Sequence, residues 1–172
     1  MEKIKSILDR RSVRSFTGEA VSREDVETIL RAGMAAPSAM NSQPWCFIAI
    51  DDRALMDSLA DSLPYAKMLK SAGAAIVVCG DMSRALPGVM KDFWLQDCAA
   101  ATENILLAVE ALGLGAVWTG VVPNPAPMKV VTDMFGLDAS IVPFCVIPIG
   151  HPAGNTPAKD KFDAAKIHWN KW

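Results

Sequence analysis

GVMKDFWLQDCAAATENILLAVEAL, residues 88–112, decides the architecture. Small and apolar residues cover much of the circumference of the helix it predicts, and charges are few for so long a segment. A helix of that kind belongs at the centre of a fold, or against a second subunit. On its N-terminal side, WCFIAI (45–50) and AAIVVCG (74–80) have the composition of buried strands; on its C-terminal side, GAVWTGVV (115–122) and FCVIPIG (144–150) complete the set. Helical patterns separate these runs, and strands alternating with helices imply an α+β or α/β sandwich. No repeat, linker or low-complexity segment interrupts the pattern, so one domain over residues 1–172 is expected.

The N-terminal part adds two helices around a basic loop. Ile4, Ile7 and Leu8 share a face over residues 3–9, and Ser22 with Asp25 reads as the start of a helix that carries Val26, Ile29, Leu30 and Gly33 and stops before Pro37. Between them lies RRSVRSF (10–16), three guanidinium groups and a hydroxyl within five positions. It stands in a chain of 17 positive and 19 negative residues with a net charge of −2. Near-neutral charge without a basic stripe argues against nucleic acid as partner. A hydrophobic fraction of 51% and a mean hydropathy of +0.22 suggest that something other than the chain covers part of its apolar surface, oligomerisation being the simplest case.

MEKIKSILDRR lacks an uninterrupted apolar core, so no secretory signal is expected and the cytoplasm is the expected compartment. The longest uncharged stretches, 111–128 and 139–158, are broken by Gly and Pro, and no membrane span is expected. Cys46, Cys79, Cys98 and Cys145 form no CxxC pair and read as buried reduced thiols. His151 and His168 stand alone, which leaves no metal site to propose.

Four stretches have the residue types for binding. Arg10 and Arg14 fall on one side of a helix or a strand, with Ser12 beside them if the segment is extended, and guanidinium forks suit phosphate or carboxylate oxygens. The same segment also reads as a solvated turn paired with Asp9 and Glu19. APSAMNSQPW (36–45) gathers Ser38, Asn41, Ser42 and Gln43 between two prolines; it is either a polar binding loop or a plain helix-to-strand connection. Thr119 and Gly120 close a strand where a glycine lets a ligand approach the backbone, or where the strand merely ends. Lys159 and Lys161 alternate around Asp160 in an extended tail that still carries Trp169 and Trp172. No nucleophile elbow, zinc signature, phosphate-binding P-loop or dinucleotide glycine motif is present, which points to chemistry carried by a cofactor.

Taken in order, these stretches resemble the FMN-dependent nitroreductase family. The segments are RRSVR, PSAMNSQPW, YAKMLKSAGAAIVV, GLGAVWTG after a long helix, and GHPAGNTPAKDKF, a match from residue 8 to the tail. The resemblance implies an α+β three-layer sandwich with a central mixed sheet, built as an intertwined homodimer with FMN in clefts at the subunit interface. It implies that Arg10, Arg11 and Ser12 hold the phosphate and ribityl end and that Arg14 reaches the pyrimidine edge. Pro37, Ser38, Ala39 and Asn41 of a second subunit would cover the cofactor, with Lys67 near the ring. Thr119 and Gly120 would meet flavin N5 through the backbone, and Lys159 and Lys161 would contact the phosphate, the second of them often arginine in the family. No side chain is expected as catalytic nucleophile. The implied activity is hydride transfer from NADH or NADPH to a nitroaromatic, quinone or other small planar acceptor. Alternatives are a non-catalytic flavin-binding or storage protein, and a flavoenzyme of the same fold that performs dehalogenation, dehydrogenation or flavin breakdown.

Overall fold

A computed structural model describes residues 4–172; Lys3, at the start of the first expected helix, lies outside them. Helix α1 (Lys5–Asp9) leads into the basic segment, and α2 (Arg23–Met34) begins where the sequence places its cap, Ser22 Oγ accepting the Asp25 N–H at 3.0 Å. Strand β1 (Trp45–Ile50) is followed by α3 (Arg53–Ser62), β2 (Ala74–Asp81) and the long helix α4 (Phe93–Ala111). The stretch 88–92 expected to open α4 is a separate short turn, Gly88–Met90.

The expected strand 115–122 is two short pieces, β3 (Gly115–Ala116) and β4 (Thr119–Gly120). Helix α5 (Pro125–Phe135) and β5 (Ile141–Gly150) complete the core. Strand order is β1-β2-β5-β3, with β4 also on β5. The sheet differs from the mixed one expected, because all pairings between strands are antiparallel. The parallel contact is a bridge from Ser12 to Ala116 at the sheet margin, where the chain enters beside β3 without forming a full strand.

Alternation along the central strands explains the layers. Ala74, Ile76 and Val78 face one side with Cys145, Ile147 and Ile149, where α2 and α4 pack; Ala75, Val77, Cys79 and Val146 face the other, where Met56, Leu59 and Val131 of α3 and α5 pack. A three-layer sandwich results. Helix α2 meets α4 closely because position 33 is glycine: a Cβ there would stand 2.9 Å from Ile105 Cγ1. Between β2 and α4 Gly80 makes room in the same way for Trp94, whose Cε3 would lie 2.4 Å from an added Cβ. Among the described residues no helix is long and apolar enough to cross a membrane.

Candidate functional site

The basic segment is extended, not helical. Its apolar members Val13 and Phe16 are buried, the Val13 N–H donates to Ala116 O at 2.8 Å, and Phe16 bridges to Pro152. Between these two anchors Arg14 and Ser15 are exposed, and before them Arg10, Arg11 and Ser12 are half-buried. Arg10, Arg11, Ser12 and Arg14 then line a cleft of about 320 Å³, whose other wall is the tail with Lys159 and Lys161.

The cations in that cleft are not equivalent. Arg11 Nη1 donates to both carboxylate oxygens of Glu110 at 2.6 Å, and Arg10 Nε lies 3.2 Å from Glu103 Oε1. The expected partners Asp9 and Glu19 are therefore replaced by two glutamates of α4. Their seven-residue spacing, two helical turns, places both on the face beneath the basic segment; that spacing was the available sequence signal. Arg14, Lys159 and Lys161 have no carboxylate within ion-pair distance among the described residues. They are the charges left for an anion from solution, while Arg11 is committed to holding the segment on α4.

Arg14 also lines a second, adjoining cleft of about 490 Å³ with Tyr65, Lys67, Trp118, Thr119 and Gly120. Arg14 thus joins a strongly cationic cleft to a partly aromatic one that also holds Lys67, and the groove is this pair of clefts. Lys67 is held at the rim by donating to Ala60 O at 3.1 Å. The Thr119 hydroxyl donates to Val146 O at 2.7 Å and is used inside the sheet, so what this residue offers the groove is backbone. Gly120 is exposed, lacks a left-handed φ, and a Cβ built on it meets nothing within 4 Å. Nothing in the fold requires glycine there, and the open main chain would admit close approach of a ligand. Tyr65, 79% exposed beside Pro64, is a groove residue that the sequence reading did not single out.

The other expected residues are not in this groove. Pro37, Ser38, Ala39 and Asn41 lie at the start of β1, where Trp45 pairs with Gly80 and Gly80 with Val142; Ser12 bridges to Ala116, which pairs with Ile149. Seven residues of β5 separate that place from the cationic end, roughly 20 Å at the rise of a strand, and three separate it from Gly120, which pairs with Cys145. In its own chain this loop lines neither the Arg14 cleft nor the cationic one.

The groove suits a planar molecule that ends in a phosphate: unpaired cations at one end, and at the other an open glycine backbone that an added Cβ would obstruct. The comparisons with known proteins point the same way. The family model described as Nitroreductase family matches residues 7–64 and 60–151. A protein of Archaeoglobus fulgidus, provisionally named NADH dehydrogenase/NAD(P)H nitroreductase, is 44% identical over 99% of this chain and 99% of its own length. A solved structure from Bacteroides thetaiotaomicron under the same provisional name has a TM-score of 0.93 at 45% identity, covering 100% of this chain and 99% of that one. A provisionally named nitroreductase from Desulfovibrio desulfuricans, solved in complex with FMN, has a TM-score of 0.81 at 35% identity over 98% of this chain and 95% of that one.

Proposed function

The chain belongs to the nitroreductase family, and from that premise we propose that it is an FMN-dependent oxidoreductase that uses NADH or NADPH to reduce a planar electrophile such as a nitroaromatic or quinone. The single observation that carries this reading is the groove shared through Arg14: cations without carboxylate partners at one end and the unobstructed Gly120 backbone at the other. Bound FMN would supply the hydride-accepting and hydride-donating ring, chemistry that no side chain here provides.

The chain's own residues would do four things. Ser12, Lys159 and Lys161 would hold the phosphate end together with the guanidinium nitrogens of Arg10 that its Nε contact with Glu103 leaves free, and Arg11 would fix the segment through Glu110. Arg14 would place positive charge at the pyrimidine edge, where negative charge grows on reduction, and a partly desolvated cation stabilises that charge more than water does. Lys67 would lie at the ring margin. Thr119 and Gly120 would present main chain, not side chain, to the reacting position, which keeps both partners of the transfer close.

The complete site would need two subunits. Pro37, Ser38, Ala39 and Asn41 line neither cleft of their own chain, and a second copy in an intertwined homodimer would bring them to the groove. The half-buried Ala99, Ala100 and Leu107 on α4 and the exposed Phe162, Ile167, Trp169 and Trp172 of the tail supply apolar surface for that contact. This also accounts for the high hydrophobic fraction. The test is to purify the protein, determine its mass in solution and the flavin released on denaturation, and follow NADH and NADPH oxidation with a panel of nitroarenes, quinones and enones. A dimer of the 18.5 kDa chain carrying FMN and active with planar acceptors is expected. A colourless protein that takes up no FMN would refute the function; a monomeric holoprotein would refute the shared site alone.

A further inference from the structure

Asp97 is the anomaly of the long helix. It is 5% exposed, on a face otherwise occupied by Trp94, Cys98 and Ala101. One carboxylate oxygen, Oδ1, accepts the Ala39 N–H at 2.9 Å, and the other, Oδ2, is buried with no hydrogen-bond partner among the described residues. A buried carboxyl group with one of its two oxygens unpaired is a poor device for stability alone.

What it holds is the loop 38–43, whose backbone is unusual. Met40, Asn41 and Gln43 have φ of 50°, 54° and 48°, left-handed values that side chains other than glycine disfavour. Four internal bonds support the shape: Ser38 Oγ accepts the Gln43 N–H at 3.0 Å, Asn41 Oδ1 accepts from Gln43 Nε2 at 3.1 Å, and the Asn41 and Ser42 N–H groups donate to Ser38 O and Ala39 O at 3.0 Å. The Asp97 bond is the one that ties the loop to a rigid helix. Backbone held in a disfavoured region by surrounding structure is a mark of a functional surface.

We propose that Asp97 is a positioning residue, pinning the Ala39 amide so that loop 38–43 keeps the shape that meets FMN bound in the partner subunit's groove. The proposal rests on the two-subunit reading above. The bond acts before any ligand arrives, so it lowers the ordering cost of binding and does not touch the reacting atoms.

The test compares Asp97→Ala, which removes the acceptor, with Asp97→Asn, which keeps a carbonyl oxygen for the Ala39 N–H, and with Thr102→Val as a control. Thr102 is buried five residues further along α4 and donates to Cys98 O, away from the loop. In apoprotein, Asp97→Ala should speed amide exchange at Ala39 and Gln43 about tenfold, and FMN dissociation should rise about tenfold, the scale of losing a charge-assisted bond. Asp97→Asn should stay within about threefold of the parent in both. Thr102→Val should lower the melting temperature and leave both readouts unchanged. If Asp97→Ala does not fold, Ala39→Pro removes the same bond from the loop side, and the same loss of FMN retention is expected. Unchanged exchange and FMN retention in Asp97→Ala, or an equal loss in Asp97→Asn, would overturn the proposal. Failure of the parent protein to bind FMN would overturn the functional reading and the ligand half of the proposal, while the exchange data would still decide the pinning.

Discussion

Gly120→Ala separates what the fold needs from what a ligand needs. Gly120 pairs with Cys145 in the sheet, lacks a left-handed φ, and has nothing within 4 Å of the place a Cβ would take. The alanine should therefore fit without strain and reduce the freedom of the unfolded chain, a gain of about 0.4–1 kcal/mol. For a chain of this size that raises the apoprotein's melting temperature by roughly 1–4 °C. The same methyl would intrude on a ligand that lies against the backbone, and overpacking of that kind costs about 1–3 kcal/mol, which is roughly 5–150-fold in affinity. Thermal melts of apoprotein and fluorescence titration with FMN read the two effects separately. Gly115→Ala is the contrasting variant, since its Cβ would lie 2.7 Å from Val13 Cβ and should lower the apoprotein's melting temperature. If Gly120→Ala destabilises the apoprotein, or leaves FMN affinity within twofold of the parent, no ligand approaches the chain there.

Three further outcomes follow from the same geometry. Arg14→Ala should weaken FMN binding with little change in apoprotein stability, whereas Arg11→Ala, which leaves the half-buried Glu110 unpaired, should cost about 1.5–3 kcal/mol of stability; paired melts and FMN titrations would expose a reversed ranking. Cys46 should be the one thiol alkylated in native protein: a hydrogen bond from Cys79 holds its pKa below the ordinary thiol value, the same bond and burial push Cys79 up, and burial pushes Cys98 up and Cys145 up to about 12. A depressed pKa means thiolate accumulates from lower pH, so labelling should rise with pH below the usual thiol range and vanish in Cys46→Ser; mass spectrometry showing a second labelled thiol would contradict it. Donor and acceptor should share the Arg14 groove, giving parallel double-reciprocal plots and acceptor competition against NAD(P)H; intersecting lines would show both bound together.

The legible parts of the sequence were those governed by local periodicity. Strand β1 begins and ends where WCFIAI does, and Ser22 caps α2 through Asp25, because alternation and capping are properties of neighbouring residues. GAVWTGVV failed as one strand because its two halves pair with different stretches of β5, Gly115 with Gly150 and Thr119 with Val146, and that division depends on contacts distant in sequence. Partners of the arginines were mistaken for the same reason: Glu103 and Glu110 lie about a hundred residues away, and Asp9 and Glu19 were merely near in sequence. The family's motifs named Arg14, Lys67, Thr119 and Gly120 separately, and the fold brings them into one groove. Asp97 was unreadable as a loop anchor, since on a helix that also carries Glu103 and Glu110 an acid does not announce what it faces.

Anaerobic mixing of purified holoprotein with NADH or NADPH tests the central claim most directly. The protein should carry one FMN per chain, and its visible flavin band should bleach on adding the nicotinamide and return on adding a quinone or nitroarene. A flavin band that neither nicotinamide changes would contradict the account and leave a flavin-binding protein without this activity.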